Sequence, residues 1–247
     1  MKKFLLAILF VLITFSISLA IDDIKFSLGM TQSTFRDFSK ELAVATSFKP
    51  LAPAEPLGIT GFDIGVEITA LNISDGAWKN AVEDRDAPSY IFIPKIRAIK
   101  GLPLGFDIGA FYSQVPDTNI KLYGGEVKYS ILEGSTVMPA VALRGSYTQL
   151  SGVSELDFKT YGIDASISKG FLMITPYGGV GLNRFESTPR GYASSSFPLG
   201  LGLKEEKKTY YKAFVGARLT LVLLSITGEI ELNEFKPVYS LKGAITF

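Results

Sequence analysis

The sequence predicts an all-β fold: an antiparallel, up-and-down transmembrane β-barrel of ten to twelve strands. Hydrophobic residues make up 47% of the 247-residue chain, yet after Ala20 no apolar run approaches the length of a membrane-spanning helix. From residue 58 onwards, apolar and polar residues alternate with a period of two, which is typical of strands with one apolar and one polar face. The many glycines (24) and aromatic residues (12%) also fit the wall and the two membrane interfaces of a barrel.

Ten such segments follow one another in the predicted barrel domain, residues 58–247. Each is close to the roughly 9–11 residues that a tilted membrane strand needs. The alternation assigns a lumen face to every segment except Phe171–Leu182, whose facing stays open. The segments are Phe62–Ala70, Tyr90–Ala98, Phe106–Tyr112, Tyr123–Tyr129, Val141–Tyr147, Tyr161–Ile167, Phe171–Leu182, Tyr211–Leu219, Leu224–Glu231 and Tyr239–Phe247.

The connections between the segments alternate in length. If Phe247 lies at the periplasmic end, the periplasmic set is short, whereas the opposite set includes the long, polar stretches Asn72–Ser89 and Glu186–Thr209. Short periplasmic turns and longer outer loops are expected of outer-membrane barrels. The short set comprises Gly101–Gly105, Leu132–Thr136, Ser168–Gly170 and Leu221–Leu223.

Residues 1–20 are predicted to be a secretory signal peptide. A basic start, Met1-Lys2-Lys3, precedes an apolar run that ends in a small-x-small cleavage site formed by Ser18 and Ala20. We therefore expect export, with the mature chain beginning at Ile21. The chain has no cysteine, which excludes a lipidated N-terminal Cys, disulfides and thiolate metal sites.

Residues 21–57 allow two interpretations. Thr34 can cap a helix with Phe35, Phe38 and Leu42 on one face, followed by a proline-rich linker. Such a helix would plug the lumen or lie at the periplasmic mouth. Alternatively, residues 24–29 and 42–48 add two strands and make a twelve-stranded barrel.

The final segment resembles the closing strand of bacterial outer-membrane β-barrels, since it alternates strictly and ends on an aromatic residue. The resemblance implies that Tyr239, Leu241, Ile245 and Phe247 form the signal read by the barrel-assembly machinery, after transfer by the secretion machinery. It also implies the Gram-negative outer membrane as location, with membrane lipid and lipopolysaccharide as surroundings.

Two further stretches, Pro53–Gly65 and Ala140–Tyr147, resemble an uncharacterised group of such porin-like proteins from Gram-negative bacteria. That resemblance brings no established activity.

Charged residues are predicted to line the lumen in equal numbers of each sign. Buried charges must be paired, because an isolated one costs several kcal/mol. The set therefore predicts either a structural web of ion pairs or facing acidic and basic walls that set the selectivity of a narrow pore. Its members are Asp63, Glu67, Lys95, Arg97, Asp107, Glu126, Lys128, Arg144, Asp164, Lys212, Arg218, Glu229, Glu231 and Lys242.

Two smaller features accompany this set. The repeat of Gly-Phe-Asp-Ile-Gly at 61–65 and 105–109 allows a paired acidic site near the periplasmic entrance, although shared barrel patterning explains it as well. Residues 75–84 could form a short amphipathic helix that places Trp78, the only tryptophan, at the membrane surface.

The composition also limits function. The chain has no histidine, which excludes the His-dependent chemistry of barrel lipases, acyltransferases and omptin-type proteases, so no enzyme is expected. A net charge of +1 argues against a nucleic-acid partner. No cofactor or metal is predicted. The leading interpretation is a narrow channel or transporter for small solutes; the alternative is a non-conducting, structural or loop-presenting barrel, and an enzyme without His is a distant third.

Overall fold

The computed structural model describes residues 24–73, 75–81, 89–115, 118–196 and 200–247, which form a closed antiparallel barrel of ten strands. The predicted signal peptide and its cleavage site lie outside the described residues. The strands are β1 (Phe62–Asn72), β2 (Tyr90–Gly101), β3 (Phe106–Gln114), β4 (Lys121–Leu132), β5 (Ala140–Ser151), β6 (Leu156–Ser168), β7 (Ile174–Pro189), β8 (Glu206–Leu221), β9 (Leu224–Asn233) and β10 (Val238–Thr246).

Each strand pairs with its neighbours in sequence, and β1 pairs with β10 to close the barrel. The closing register runs from Asp63 opposite Thr246 to Leu71 opposite Val238. The predicted barrel is thereby confirmed at the lower strand number, and the twelve-stranded alternative is wrong because residues 24–29 and 42–48 do not join the sheet. Within the described part of the chain, no helix is long and apolar enough to span a membrane.

The outer face of the wall is apolar, with aromatic residues near both ends. Tyr112 lies opposite Tyr123 on the neighbouring strand, towards the end that carries the longest loops. Towards the other end, the rings of Phe106 and Tyr129 stack with their centroids 4.6 Å apart. An apolar band between two aromatic girdles is the exterior of a barrel in lipid. Outward side chains between the girdles are exposed aliphatics such as Ile108.

The two ends of the barrel differ in their connections. We call the end with the connections 102–105, 133–139, 169–173 and 222–223 the short-turn end, and the opposite end, which carries 73–89 and 190–205, the long-loop end.

The short turns have unusual backbone conformations. Leu104, Leu172 and Val222 have φ values of 64°, 53° and 60°, in the left-handed region that Gly normally occupies. For a residue with a Cβ this conformation costs about 1–2 kcal/mol. Three of the four turns thus place a large aliphatic side chain where a small or polar residue would be less strained.

The N-terminal segment forms a helix, α1 (Gln32–Thr46), inside the long-loop half of the lumen. Its N-cap is Thr31, whose side chain accepts a hydrogen bond from Thr34 N; the predicted cap at Thr34 therefore lies one turn too late. Phe35 and Phe38 are fully buried and pack with strand residues in the main hydrophobic core. The helix therefore lies inside the lumen and away from the short-turn end.

Trp78 lies in the core and not at the membrane surface, so that expectation was wrong. It ends the short helix α2 (Asp75–Trp78), and its ring packs against Phe38 at a centroid distance of 4.8 Å. Its indole Nε1 donates to Glu41 Oε2 at 2.8 Å. The indole therefore joins the β1–β2 loop to α1.

Candidate functional site: a charged lumen threaded by the N-terminal segment

All fourteen charged residues that the alternation assigns to the lumen are buried inside the barrel. The strands bring them into groups of facing acids and bases, because inward residues of neighbouring strands lie at similar heights. The described residues contain no group of three or more acidic side chains close enough to hold a metal ion. The inward charges interact with one another and with the chain that passes between them.

The first group lies where the barrel closes. Asp63 on β1 accepts hydrogen bonds from Lys242 Nζ at 3.0 Å, Arg218 Nη2 at 3.1 Å and Thr246 Oγ1 at 3.1 Å. These partners lie on β10 and β8, so one carboxylate connects the closing seam to a more distant strand. Asp63 and Lys242 are both fully buried.

The second group joins β1 to β2. Glu67 Oε1 lies 3.0 Å from Lys95 Nζ, and Glu67 Oε2 lies 2.9 Å from Arg97 Nε. The three side chains have no solvent exposure. One carboxylate therefore balances two bases, and the excess positive charge faces the interior of the lumen.

The third group forms a chain across the opposite wall. Arg144 lies 2.7 Å from Glu126 and 3.5 Å from Asp164, and Asp164 lies 3.3 Å from Lys212. It spans β4 to β8, with alternating sign. Glycine makes room for large neighbours: a Cβ at Gly216 would lie 2.5 Å from the Tyr177 hydroxyl.

The N-terminal segment continues from α1 through these groups to the short-turn end. Arg97 donates to the carbonyl oxygens of Lys49 at 2.7 Å and Pro50 at 2.9 Å. Lys128 donates to those of Pro53 at 3.1 Å and Glu55 at 2.7 Å. Wall cations therefore bind the segment through its backbone at two levels.

Wall acceptors bind backbone amides of the same segment. Glu229 accepts from Leu51 N at 2.9 Å, and Asp107 accepts from Leu57 N at 3.1 Å. Ser168 Oγ accepts from Ala54 N at 3.0 Å. Wall donors and acceptors thus both bind residues 49–57, which we call the threaded segment, and they hold much of its polar backbone without regular secondary structure.

Lys49 and Tyr177 are among the participants that were not predicted from the sequence. Lys49 is fully buried and contacts Glu231 Oε1 at 3.0 Å, a partner that no local pattern could indicate. Tyr177 donates from its hydroxyl to Glu229 Oε2 at 2.9 Å and lies on the strand whose facing was open. For Lys49, the only signal in the sequence was the presence of a lysine beside a proline-rich, otherwise apolar stretch.

Asp63 and Asp107, the aspartates of the repeated motif, line one cavity between the threaded segment and the wall. It has a volume of about 10 Å³, which is room for about one water molecule. The two acids pair with different cations, Lys242 and Lys128, so the repeat does not create a two-carboxylate site.

At the long-loop end, residues 24–32 join the loops into a cap. Lys25 N donates to Ala81 O at 3.0 Å, and Phe26 N donates to Glu155 Oε2 at 2.8 Å. Gln32 Nε2 donates to Glu206 Oε1 at 2.6 Å. The cap thus contacts three loop regions, and the threaded chain runs from this end to the other.

The cap carries an open groove of about 540 Å³ between α1, α2 and the β9–β10 loop. Asp37, Lys40 and Lys236 are among its lining residues, so both signs of charge face the solvent there. Nearby, Glu234 accepts from Lys208 Nζ at 2.9 Å, and this hydrogen bond holds the pKa of Glu234 below its usual range. The loops of the cap are therefore fixed by polar contacts.

The residues of the predicted assembly signal lie on or just after β10. Tyr239, Leu241 and Phe247 have exposed side chains on the outer face. The Phe247 ring stacks on Phe62 of β1 at a centroid distance of 5.5 Å. The terminal aromatic thus covers the closing seam from outside.

Residues 79–241 match the model of a family of unknown function (DUF6588). No curated protein is significantly similar to the chain. Among solved structures, Ail, the attachment invasion locus protein of Yersinia pestis, is 14% identical with a TM-score of 0.36, covering 76% of this chain and 97% of that one. The KdgM porin is 10% identical (TM-score 0.34, coverage 76% and 99%). Neisserial surface protein A is 9% identical (TM-score 0.29, coverage 75% and 95%). At these TM-scores the matches add nothing to the architecture described above.

Proposed function

The chain belongs to the family of unknown function DUF6588, and we propose that it is a non-conducting barrel of the Gram-negative outer membrane. Its own N-terminal segment closes the lumen and, with the long loops, forms a cap on the cell surface. No enzymatic step is assigned to it. Lipid and lipopolysaccharide surround the wall, and the secretion and barrel-assembly machinery deliver it there.

The way the threaded segment is held is the observation that supports closure most strongly. Arg97 and Lys128 bind its carbonyls, while Glu229 and Asp107 bind its amides. Every one of these wall side chains is buried. A hydrated ion would have to break several such contacts at once, and each broken contact would leave a buried charge without its partner.

Loop asymmetry supports the orientation. Barrels of this class have short periplasmic turns and longer extracellular loops, so the long-loop end faces outwards. The cap, with Leu28 exposed at its edge, then lies on the cell surface. The groove of about 540 Å³ lies there as well, which favours presentation of this surface over passage through the lumen.

Planar bilayers test the closure. We expect the purified, heat-modifiable wild-type protein to show no discrete conductance, because the lumen is filled by paired charges and by residues 49–57. A discrete, reproducible conductance in the wild-type protein would contradict a permanently closed barrel.

The second candidate function is a gated channel that opens when the segment withdraws. One feature of the threaded segment favours the gated channel. Many contacts between the segment and the wall are polar, so water could replace them when the segment withdraws. The Ser39 and Ser187 hydroxyls lie 2.8 Å apart, joining α1 to β7, and the chain has no native cysteine. An S39C/S187C disulfide would therefore lock α1 in place.

The lock separates three outcomes. Silence of both the wild-type and the oxidised variant supports the closed barrel. Conductance in the wild-type that the disulfide abolishes and reduction restores supports the gated channel. Conductance that persists in the locked protein contradicts both, since it would require a path past the segment. The single variant S39C is the matched control.

Surface labelling tests the orientation. We expect a membrane-impermeant maleimide to label L28C in intact cells, because Leu28 is exposed on the cap. I59C, whose residue is exposed at the short-turn end, should react only after the outer membrane is permeabilised. Labelling of I59C but not of L28C in intact cells would show that the short-turn end faces outwards.

A further inference from the structure

Each of the four short turns exposes an aliphatic side chain at its tip. Leu104, Val137 and Val222 are 85%, 86% and 92% exposed, and Leu172 is fully exposed. Aliphatic tips are poorly suited to water, and a contiguous apolar surface normally marks a contact with a partner or with lipid. The tips are also continuous with the apolar outer wall, through neighbours such as Phe171.

The apolar height of the wall between its girdles is smaller than the usual apolar band of a membrane barrel. On β3 the outward aromatics are Phe106 and Tyr112, and on β4 they are Tyr123 and Tyr129. Six residue steps at ~3.4 Å, tilted by ~40°, give about 16 Å of height on β3 and β4, and the eight steps between Tyr239 and Phe247 at the end of the chain give about 21 Å, against the ~25 Å apolar band of such barrels. On β4 the outward side chain beyond Tyr129 is apolar Ile131, whereas the one beyond Tyr123 is charged Lys121. The remaining apolar height therefore lies at the short-turn end.

Two lysines at the short-turn end donate to backbone carbonyls there. Lys169 Nζ donates to the carbonyl oxygens of Ser135 and Thr136, both at 2.7 Å, in the neighbouring turn. Lys100 Nζ donates to Gly61 O at 3.0 Å at the start of β1. A chain in contact with hydrocarbon must satisfy its polar backbone internally, whereas a chain in water need not.

We propose that the short-turn rim is a lipid-binding surface, with the tips at Leu104, Val137, Leu172 and Val222 inserted into the acyl region of the adjacent leaflet. Burial of the tips in lipid offsets the left-handed strain at three of them. The barrel is then anchored by its turns and does not project below the membrane. This holds whether or not the barrel conducts.

Single-cysteine variants test the proposal directly, because the native chain has no cysteine. L172C, V222C and V137C carry a nitroxide label in vesicles of phosphatidylethanolamine and phosphatidylglycerol. Collisions of the label with oxygen, which concentrates among acyl chains, are compared with collisions with a water-soluble nickel chelate. Heat-modifiable migration checks the fold of each labelled protein.

Two exposed positions supply the controls. L28C replaces an exposed leucine of the cap and reports water, while I163C lies mid-strand on the outer wall and reports lipid. We expect the oxygen-to-nickel ratio at the three turn sites to approach that of I163C and to exceed that of L28C several-fold. If the oxygen-to-nickel ratio at the turn sites equalled that of L28C while I163C was still shielded from nickel, the proposal would be overturned. The rim would then be exposed to water and available to bind a periplasmic protein.

Discussion

Replacing Asp63 by Asn is expected to destabilise the folded barrel by about 3–5 kcal/mol, the usual cost of breaking a buried ion pair from one side. The carboxylate holds Lys242 and Arg218 at 3.0 and 3.1 Å across the closing seam. Asparagine keeps the shape of the side chain but removes its charge. The two buried cations, Lys242 and Arg218, would then lie close together with no negative charge between them. Urea titration followed by heat-modifiable migration measures the loss.

A partly buried aspartate at the long-loop end provides the comparison for this variant. Asp157 pairs with Arg190 and Lys159, all at the long-loop end and partly in solvent, so D157N should cost less than about 1 kcal/mol. The double variant D63N/K242M should recover part of the loss, because it removes one of the unbalanced cations. Equal midpoints for D63N and D157N would show that the seam does not depend on this carboxylate.

The inward set of charges could be predicted because a strand has a period of two, so burial of one face decides the facing of every residue. Which charges pair could not be predicted in the same way. Asp63 and Lys242 are not direct register partners: Asp63 lies opposite Thr246, while Glu67 lies opposite Lys242. The pairing depends on the stagger of the closing strands and on long side chains, neither of which local sequence specifies.

The facing of β7 was open for a physical reason. Within the sequence segment Phe171–Leu182 its lumen side carries Tyr177, Gly179 and Gly181, so that stretch shows no polarity contrast with its outer side; the polar lumen residues Asn183 and Ser187 follow only beyond it. The aromatic rings on this side fill space beside the threaded segment, and the glycines leave room for the side chains of neighbouring strands. Polarity alternation therefore fails where the lumen side of a strand consists of glycine and aromatic residues, and it works where that side is charged.

The N-terminal segment shows the same limit. The helix could be predicted from the spacing of Phe35, Phe38 and Leu42, but its position could not, since its partners lie on distant strands. Trp78 was misplaced because its partner, Glu41, belongs to that segment. Short amphipathic patterns do not distinguish an interface with lipid from an interface with another part of the chain.

Replacing Arg97 by Met should both destabilise the barrel by about 3–5 kcal/mol and loosen the closure, because one guanidinium serves the wall and the segment together. It lies 2.9 Å from Glu67, binds the carbonyls of Lys49 and Pro50, and covers the Phe48 ring at 4.4 Å. Methionine fills the space but satisfies none of the acceptors. We therefore expect intermittent conductance in planar bilayers where the wild-type protein is silent.

Arg97→Lys separates charge from geometry. An ammonium keeps the positive charge near Glu67 but cannot reproduce the planar fork that binds two carbonyls and a carboxylate at once. It should lose less stability than R97M while still admitting brief openings. R190M, which removes an exposed arginine from its pair with Asp157, should leave both properties unchanged. If R97M were as stable and as silent as R190M, the packing of α1 alone would hold the segment, and the wall charges would not be what closes the lumen.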